Sequence, residues 1–292
     1  MLSDNYRILE RFGAARPRRF GDVYLVESIQ TGQKAVLKVV NKTSADLVAL
    51  ERLRNEAHFS FSTDGLPRIV DFSEDASMAY LVRDFVAGEP IDTFWKKLKK
   101  KEQLPFIVQF LKALAPLLTE LREKRIVHAD IKPGNIIISQ RSEGIGVALL
   151  DFGLALHLDA IEERKLLFPL GYAAPELVLN VLNCVDHRTD YFAIGALIWR
   201  LFVGKMPLIH PNPSIFTNLQ ITHPLPDHSS LPKGLYPLLA KLTNKHTFEV
   251  PPNKLPRNEV AEKLVAARNR RYDDLSDFIS DLEKLKNRRY WF

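Results

Sequence analysis

One cysteine, Cys184, stands alone in the chain, so no intrachain disulfide can form and the fold must rest on its core. That usage suits a reducing compartment, and a cytoplasmic location is the expectation. The opening residues Met1-Leu2-Ser3-Asp4-Asn5-Tyr6-Arg7 lack the basic-then-apolar order of a secretory signal. Long uncharged apolar runs are missing too. The most apolar stretches, Leu104 to Leu121 and Tyr191 to Val203, carry Lys112 and Arg200 and read as buried helices, not membrane spans. A net charge of +6 favours acidic partners only weakly. The basic run Lys96-Lys97-Leu98-Lys99-Lys100-Lys101 has no aromatic interleaving and no nucleic-acid motif around it. It reads as a solvated helix face, and neither nucleic acid nor a membrane is expected as a partner. The remaining composition, 46% hydrophobic and 26% charged over 292 residues, is ordinary and sufficient for a full core.

Two characters divide the chain. Tyr6 to Phe12, Asp22 to Ser28 and Lys34 to Val40 are short, β-branched and aromatic, with a turn signal at Gln30-Thr31-Gly32-Gln33. Leu47 to Phe59 has apolar residues at helical spacing, and Arg68 to Ser73 and Ala79 to Phe85 read as further strands. Helices are expected after that: Ile91 to Lys101, Leu104 to Lys124, Tyr191 to Val203, Gly234 to Leu242, Asn258 to Ala267 and Asp274 to Lys286. A strand-rich part followed by a helix-rich part is an α+β pattern with a hinge near residues 84–88. The Pro-rich stretch Phe248 to Pro256 is expected to be a loop leading into an additional helix, within an insertion near 244–269.

Chemistry concentrates in three places. His128-Ala129-Asp130-Ile131-Lys132-Pro133-Gly134-Asn135 lies between a helix and the apolar run Ile136 to Ser139. Asp130 can accept the proton of an attacking hydroxyl, Lys132 can neutralise a moving phosphoryl group, and Asn135 can hold a metal ion. Asp151-Phe152-Gly153 follows the short strand Val147 to Leu150, which sets an oxygen donor suited to Mg²⁺ at a strand end. Upstream, Lys38 ends the strand-like Ala35-Val36-Leu37-Lys38, and Glu56 on the next helix can pair with it; Glu51 is the rival for that pairing.

In this order the motifs resemble the eukaryotic-type protein kinase family, serine/threonine branch, over about Tyr6 to Lys286. Ala174-Pro175-Glu176 is similar to the motif closing that family's activation segment, and Asp190 to Gly195 to the start of its long buried helix, whose aspartate braces the catalytic loop. Arg271 is similar to the late arginine that pairs with the glutamate here numbered Glu176. The resemblance implies a bilobal fold, with a small lobe over residues 1–85 and a larger helical lobe over 86–292. It implies ATP and Mg²⁺ as cofactors, protein substrates, and transfer to serine or threonine hydroxyls. Lys38 would hold the α- and β-phosphates and Glu56 would position Lys38. Asp130 would be the base, assisted by Lys132, with Asn135 and Asp151 on the metal. Gly13 and Gly21 would cover the phosphates, Val23, Val36 and Ile137 would sandwich the adenine, and the backbones of Asp84 and Val86 would meet its edge.

Several departures qualify the likeness. Between Gly13 and Gly21 the family's third glycine is missing, and Arg16, Arg18 and Arg19 either replace backbone donors at the phosphates or form a solvated tip. Ala129 stands where many relatives have a phosphate-receiving arginine. Between Gly153 and Ala174 there is no serine or threonine, and Tyr172 is the only hydroxyl. Acidic residues there, Asp159 among them, are expected to pair with nearby cations instead. Arg83 falls at the back of the ATP pocket, either beside Glu56 in competition with Lys38 or paired elsewhere. A pseudokinase scaffold is the alternative to an active enzyme. A small-molecule kinase fits less well, because those lack the Ala-Pro-Glu segment and the late arginine. The chain shows no sensor segment, so a regulatory protein partner is expected.

Overall fold

The computed structural model describes residues 5–13, 21–42, 47–160, 168 and 170–288. β-Branched and aromatic residues build β1 (Tyr6–Arg11), β2 (Asp22–Ser28) and β3 (Lys34–Asn41), and helix α1 (Leu47–Ala57) follows. Two further strands, β4 (Ile69–Glu74) and β5 (Met78–Asp84), complete an antiparallel sheet of order β1-β2-β3-β5-β4. Helix α1 buries Leu50 and Leu53 against Val40 and Leu81 of this sheet. Its apolar residues are at helical spacing, and that fixes which side of α1 faces inward.

Beyond Asp84 the chain passes through β6 (Glu89–Pro90) into helices α2 (Ile91–Lys96) and α3 (Lys100–Glu123). The expected single helix from Ile91 to Lys101 is therefore two. Backbone bonds Lys97 N to Phe94 O and Leu98 N to Trp95 O close a turn, and Lys99 N donates to Glu102 Oε2 at 2.7 Å to start α3. The lysine run is thus split across a turn instead of forming one helical face, and Lys97 pairs with Glu89 at 2.6 Å. Helix α3 is long and apolar enough to cross a membrane by composition, but it is the central core helix here: Ile107, Phe110, Leu111 and Leu114 are fully buried.

Short strands β7 (Ile126–Val127), β8 (Ile136–Gln140), β9 (Ile145–Leu149) and β10 (Leu156–His157) pair as β6-β8-β9 and β10-β7. They fix the loops between them. The rest is helical: α4 (Pro175–Val178), α5 (Arg188–Val203), α6 (Pro213–Thr222), α7 (Leu235–Leu242), α8 (Arg257–Arg268) and α9 (Leu275–Arg288). The sequence pattern expects neither α4 nor α6. Yet α6 carries a readable start, with Asn212 Oδ1 accepting from Ser214 N at 2.9 Å and Ile215 N at 3.2 Å, and Pro213 in the first turn. The proline-rich stretch leads into α8 as expected. A small sheet-plus-helix part over a larger helical part is the bilobal kinase architecture.

Candidate active site

Lys38 leaves β3 opposite Val23 on β2 and Leu81 on β5. Its Nζ is ion-paired to Glu56 Oε2 on α1 and lies 3.2 Å from Asp151 Oδ1. The pairing with Glu56 is present, and Glu51 is exposed. Glu56 is only 2% exposed. Burial pushes its carboxyl up, against the pull of Lys38, and the nearby Asp151 adds to the rise.

The segment from His128 to Asn135 is held from below. Both Asp190 carboxylate oxygens accept backbone bonds, from His128 N at 2.8 Å and Ala129 N at 3.0 Å. Burial nevertheless raises the Asp190 carboxyl to about 7. His128 is fully buried, with Nε2 3.1 Å from Leu150 O and Nδ1 accepting from Asp130 N at 3.2 Å. Those two bonds set the Nε2–H tautomer, and burial lowers the ring to about 4, so it is neutral. Ala129 has φ 59°, a left-handed backbone that a non-glycine residue adopts only when its surroundings impose it. The twist is what presents two successive N–H groups to one carboxylate.

Asp130 is 1% exposed. Lys132 Nζ donates to both of its oxygens, at 2.9 and 2.8 Å, and Asn135 Nδ2 donates to its Oδ2 at 3.1 Å and its backbone O at 2.8 Å. Burial raises the Asp130 carboxyl, with Lys132 opposing. Asp151 is also left-handed, φ 69°, and its side chain is partly exposed. Burial would raise this carboxyl, but Lys38 and then Arg52 outweigh it and hold it well below the usual carboxylate range. With its amide nitrogen committed to Asp130, Asn135 has Oδ1 as the atom available to a cation. Asp151 and Asn135 thus offer oxygen donors, the set Mg²⁺ prefers when phosphates and water complete its shell.

Above these groups, Val23 and Val36 lie on the sheet face that carries Lys38, since Val23 is opposite Lys38 and Val36 is two residues before it. Ile137 lies half-buried on β8 beside Gly88. Asp84 N donates to Arg68 O at 3.0 Å, so only the Asp84 carbonyl remains for a ligand, and Arg83 Nη1 already donates to it at 3.2 Å. Val86 is half-buried beyond it. Gly13 and Gly21 both have positive φ, and a Cβ at Gly21 would sit 2.5 Å from Val39 O. Arg16, Arg18 and Arg19 lie outside the described residues.

Arg83 joins neither of the two expected arrangements fully. Its Nε is 4.0 Å from Glu56 Oε1, and neither atom has a hydrogen-bond partner. Lys38 keeps Oε2 at the same time. The two cations flank one carboxylate without displacing each other.

Two residues of this site carry no motif and escape sequence reasoning. Asn55 Nδ2 lies 3.1, 3.3 and 2.9 Å from the carbonyls of Phe152, Gly153 and Ala155. Arg52 Nη2 reaches Asp130 Oδ2 at 3.3 Å. Their only signal is helical spacing: with Glu56 they stand three and four positions apart on the inward face of α1. Farther off, Arg271 makes a bidentate pair with Glu176 at 2.6 and 3.0 Å, as the family resemblance implied. Asp159 pairs with Arg125 at 2.6 Å, and Tyr172 packs half-buried against the main core.

Comparison with known proteins agrees with this geometry. The protein kinase domain profile matches residues 18–267. The chain is 30% identical over 284 residues to the serine/threonine-protein kinase pkn2 of Myxococcus xanthus, covering 91% of this chain and 33% of that protein. It therefore spans about a third of that relative's length. It is 26% identical over 274 residues to Aurora kinase B of Mus musculus, covering 92% of this chain and 75% of the relative. Against Aurora kinase C of Mus musculus it is 27% identical over 238 residues, 79% of this chain and 83% of the relative. With a profile spanning most of its length and the lysine, aspartate and asparagine groups brought together, this chain belongs to the protein kinase domain family.

Proposed function

We propose that this chain transfers the γ-phosphoryl group of ATP to serine or threonine hydroxyls of protein substrates. The observation that carries the reading is two polar clusters bridged by Arg52, whose Nη2 lies 3.3 Å from Asp130 Oδ2 and 4.0 Å from Asp151 Oδ2. Glu56 holds Lys38, Lys38 reaches Asp151, and Lys132 and Asn135 converge on Asp130. A scaffold without turnover has no need to keep all six groups in contact.

Lys38 would bind the α- and β-phosphates, kept in place by Glu56. Asp151 and Asn135 would hold Mg²⁺. When bound, the metal neutralises charge on the β- and γ-phosphates. Asp130 would orient the substrate hydroxyl and take its proton as the hydroxyl oxygen bonds to the γ-phosphorus. The bond from that phosphorus to the bridging oxygen breaks, and ADP leaves. Lys132 would move from Asp130 toward the transferring group and offset its charge. Val23, Val36 and Ile137 would enclose the adenine, with the Asp84 carbonyl and the Val86 backbone at its edge, and Gly13 and Gly21 would border the phosphates.

Incubation with labelled ATP, Mg²⁺ and casein tests the reading, beside an Asp130→Asn control. The wild type is expected to label casein or itself, and the variant to be slower by about 10²-fold or more. ATP binding without any transfer by the wild type would instead favour the pseudokinase alternative.

A further inference from the structure

Helix α1 sends three inward side chains to three different parts of the cleft. Glu56 takes Lys38, Asn55 takes the backbone carbonyls of residues 152, 153 and 155, and Arg52 takes Asp130. Arg52 is buried, and its Nη2 is also 4.0 Å from Asp151 Oδ2. The fit is close. A Cβ on Gly153 would lie 3.1 Å from Arg52 Cβ and 3.2 Å from its carbonyl oxygen, so the glycine after Phe152 lets α1 approach this near.

The two oxygens of Asp130 are held differently. Oδ1 accepts from Lys132 at 2.9 Å, whereas Oδ2 accepts from Lys132 at 2.8 Å, Asn135 at 3.1 Å and Arg52 at 3.3 Å. A general base must touch the hydroxyl it deprotonates, and in this arrangement Asp130 is covered. Lys132 is the exposed member of the set, with 31% of its side chain accessible against 10% for Arg52. Departure of Lys132 toward a phosphoryl group would uncover Oδ1 and leave Oδ2 clamped by Asn135 and Arg52.

We infer that Arg52 is a positioning residue for Asp130: it clamps Oδ2 so that Oδ1 meets the substrate hydroxyl, and it makes the aim of the base depend on the seating of α1. The inference rests on the proposed phosphoryl transfer. It also supplies a link that a loop phosphate cannot provide here, because the methyl group of Ala129 cannot receive one and residues 154–173 hold no serine or threonine. An outward movement of α1 would release Lys38, the 152–155 backbone and Asp130 together.

The test compares wild type with Arg52→Met and Arg52→Lys, measuring kcat and KM for ATP and for casein. Arg52→Met is expected to lower kcat by about 10- to 100-fold with both KM values nearly unchanged, as for a misaimed group. Arg52→Lys, which keeps the charge, should recover part of the loss. An unchanged kcat, a rise in kcat, or a loss confined to KM for ATP would overturn the assignment. A second arm needs no turnover: urea unfolding of the nucleotide-free wild type, Arg52→Met, Asp130→Asn and the double variant. The clamp requires the two substitutions to couple, and strict additivity would refute it. An inactive wild type would remove the proposed function, while the contact itself would still be decided by this cycle.

Discussion

Replacing Arg271 by methionine offers a quantitative test of how the helical part is held together. Arg271 and Glu176 are each about 1% exposed on their side chains and are joined by two bonds, with Thr189 Oγ1 donating to Glu176 Oε1 at 2.9 Å. Arg271 also donates to the carbonyls of Asn244 at 2.9 Å and Arg188 at 3.3 Å, and its guanidinium lies 5.0 Å over the ring of Phe192. Methionine keeps the packing stem but leaves a buried carboxylate unpaired, a loss of about 3–5 kcal/mol. At roughly 2–3 °C per kcal/mol for a chain of this size, thermal unfolding followed by circular dichroism should fall by about 6–15 °C. The pH dependence carries a sign. Burial raises the Glu176 carboxyl, but Arg271 overrides it and holds the group below its ordinary value. Its stabilising contribution in the wild type is therefore present above the unfolded carboxylate pKa and lost as pH falls through the lower folded one. In Arg271→Met the same carboxyl is raised by burial instead, so its cost is greatest at neutral pH and fades as it gains a proton. The gap between wild type and variant should narrow from pH 7.5 to pH 5. Adding Glu176→Gln should restore most of the loss at neutral pH. A drop under about 2 °C, or a gap that ignores pH, would refute the argument that an unpaired buried charge sets the cost.

Three other outcomes are expected. Asp151→Asn should lose the Mg²⁺-dependent part of nucleotide binding by calorimetry, whereas Asp130→Asn should keep it; equal retention in both would remove Asp151 as the metal ligand. Arg83→Met should leave basal activity within about 2-fold, because Lys38 already holds Glu56 Oε2 beside Arg83, where direct competition would demand a several-fold rise on removal. Phosphatase treatment should leave activity nearly unchanged, since the segment between Gly153 and Ala174 offers only the half-buried Tyr172; a large loss mapped to that tyrosine would contradict this.

Much of the site was legible because its chemistry is bound to short spacings. Asp130, Lys132 and Asn135 lie within one turn of chain, so the segment that carries them also dictates their convergence. Asp151-Phe152-Gly153 and Ala174-Pro175-Glu176 are equally local. Strand and helix positions followed from apolar periodicity, which local sterics impose whatever the packing. The division of the lysine run was not legible, because a capping glutamate and a turn outweighed helix propensity at Lys97 to Lys99. Nor was α6, whose Asn-Pro-Ser start is short and lies in a stretch without a strong apolar stripe.

Tertiary structure alone decided which charges outside the motifs meet. Arg52 and Asn55 look in sequence like any polar residues on an amphipathic helix, and become part of the cleft only because α1 packs against residues 152–155, about a hundred positions away. For Arg83 the sequence left two arrangements open, and only the packed sheet settles the matter by placing its Nε 4.0 Å from Glu56 Oε1. A sequence lists the donors and acceptors available and the local geometry each prefers. Which buried charge neutralises which depends on distances of a few ångströms between segments remote in the chain, and those distances exist only once the sheet, α1 and the catalytic loop have packed together.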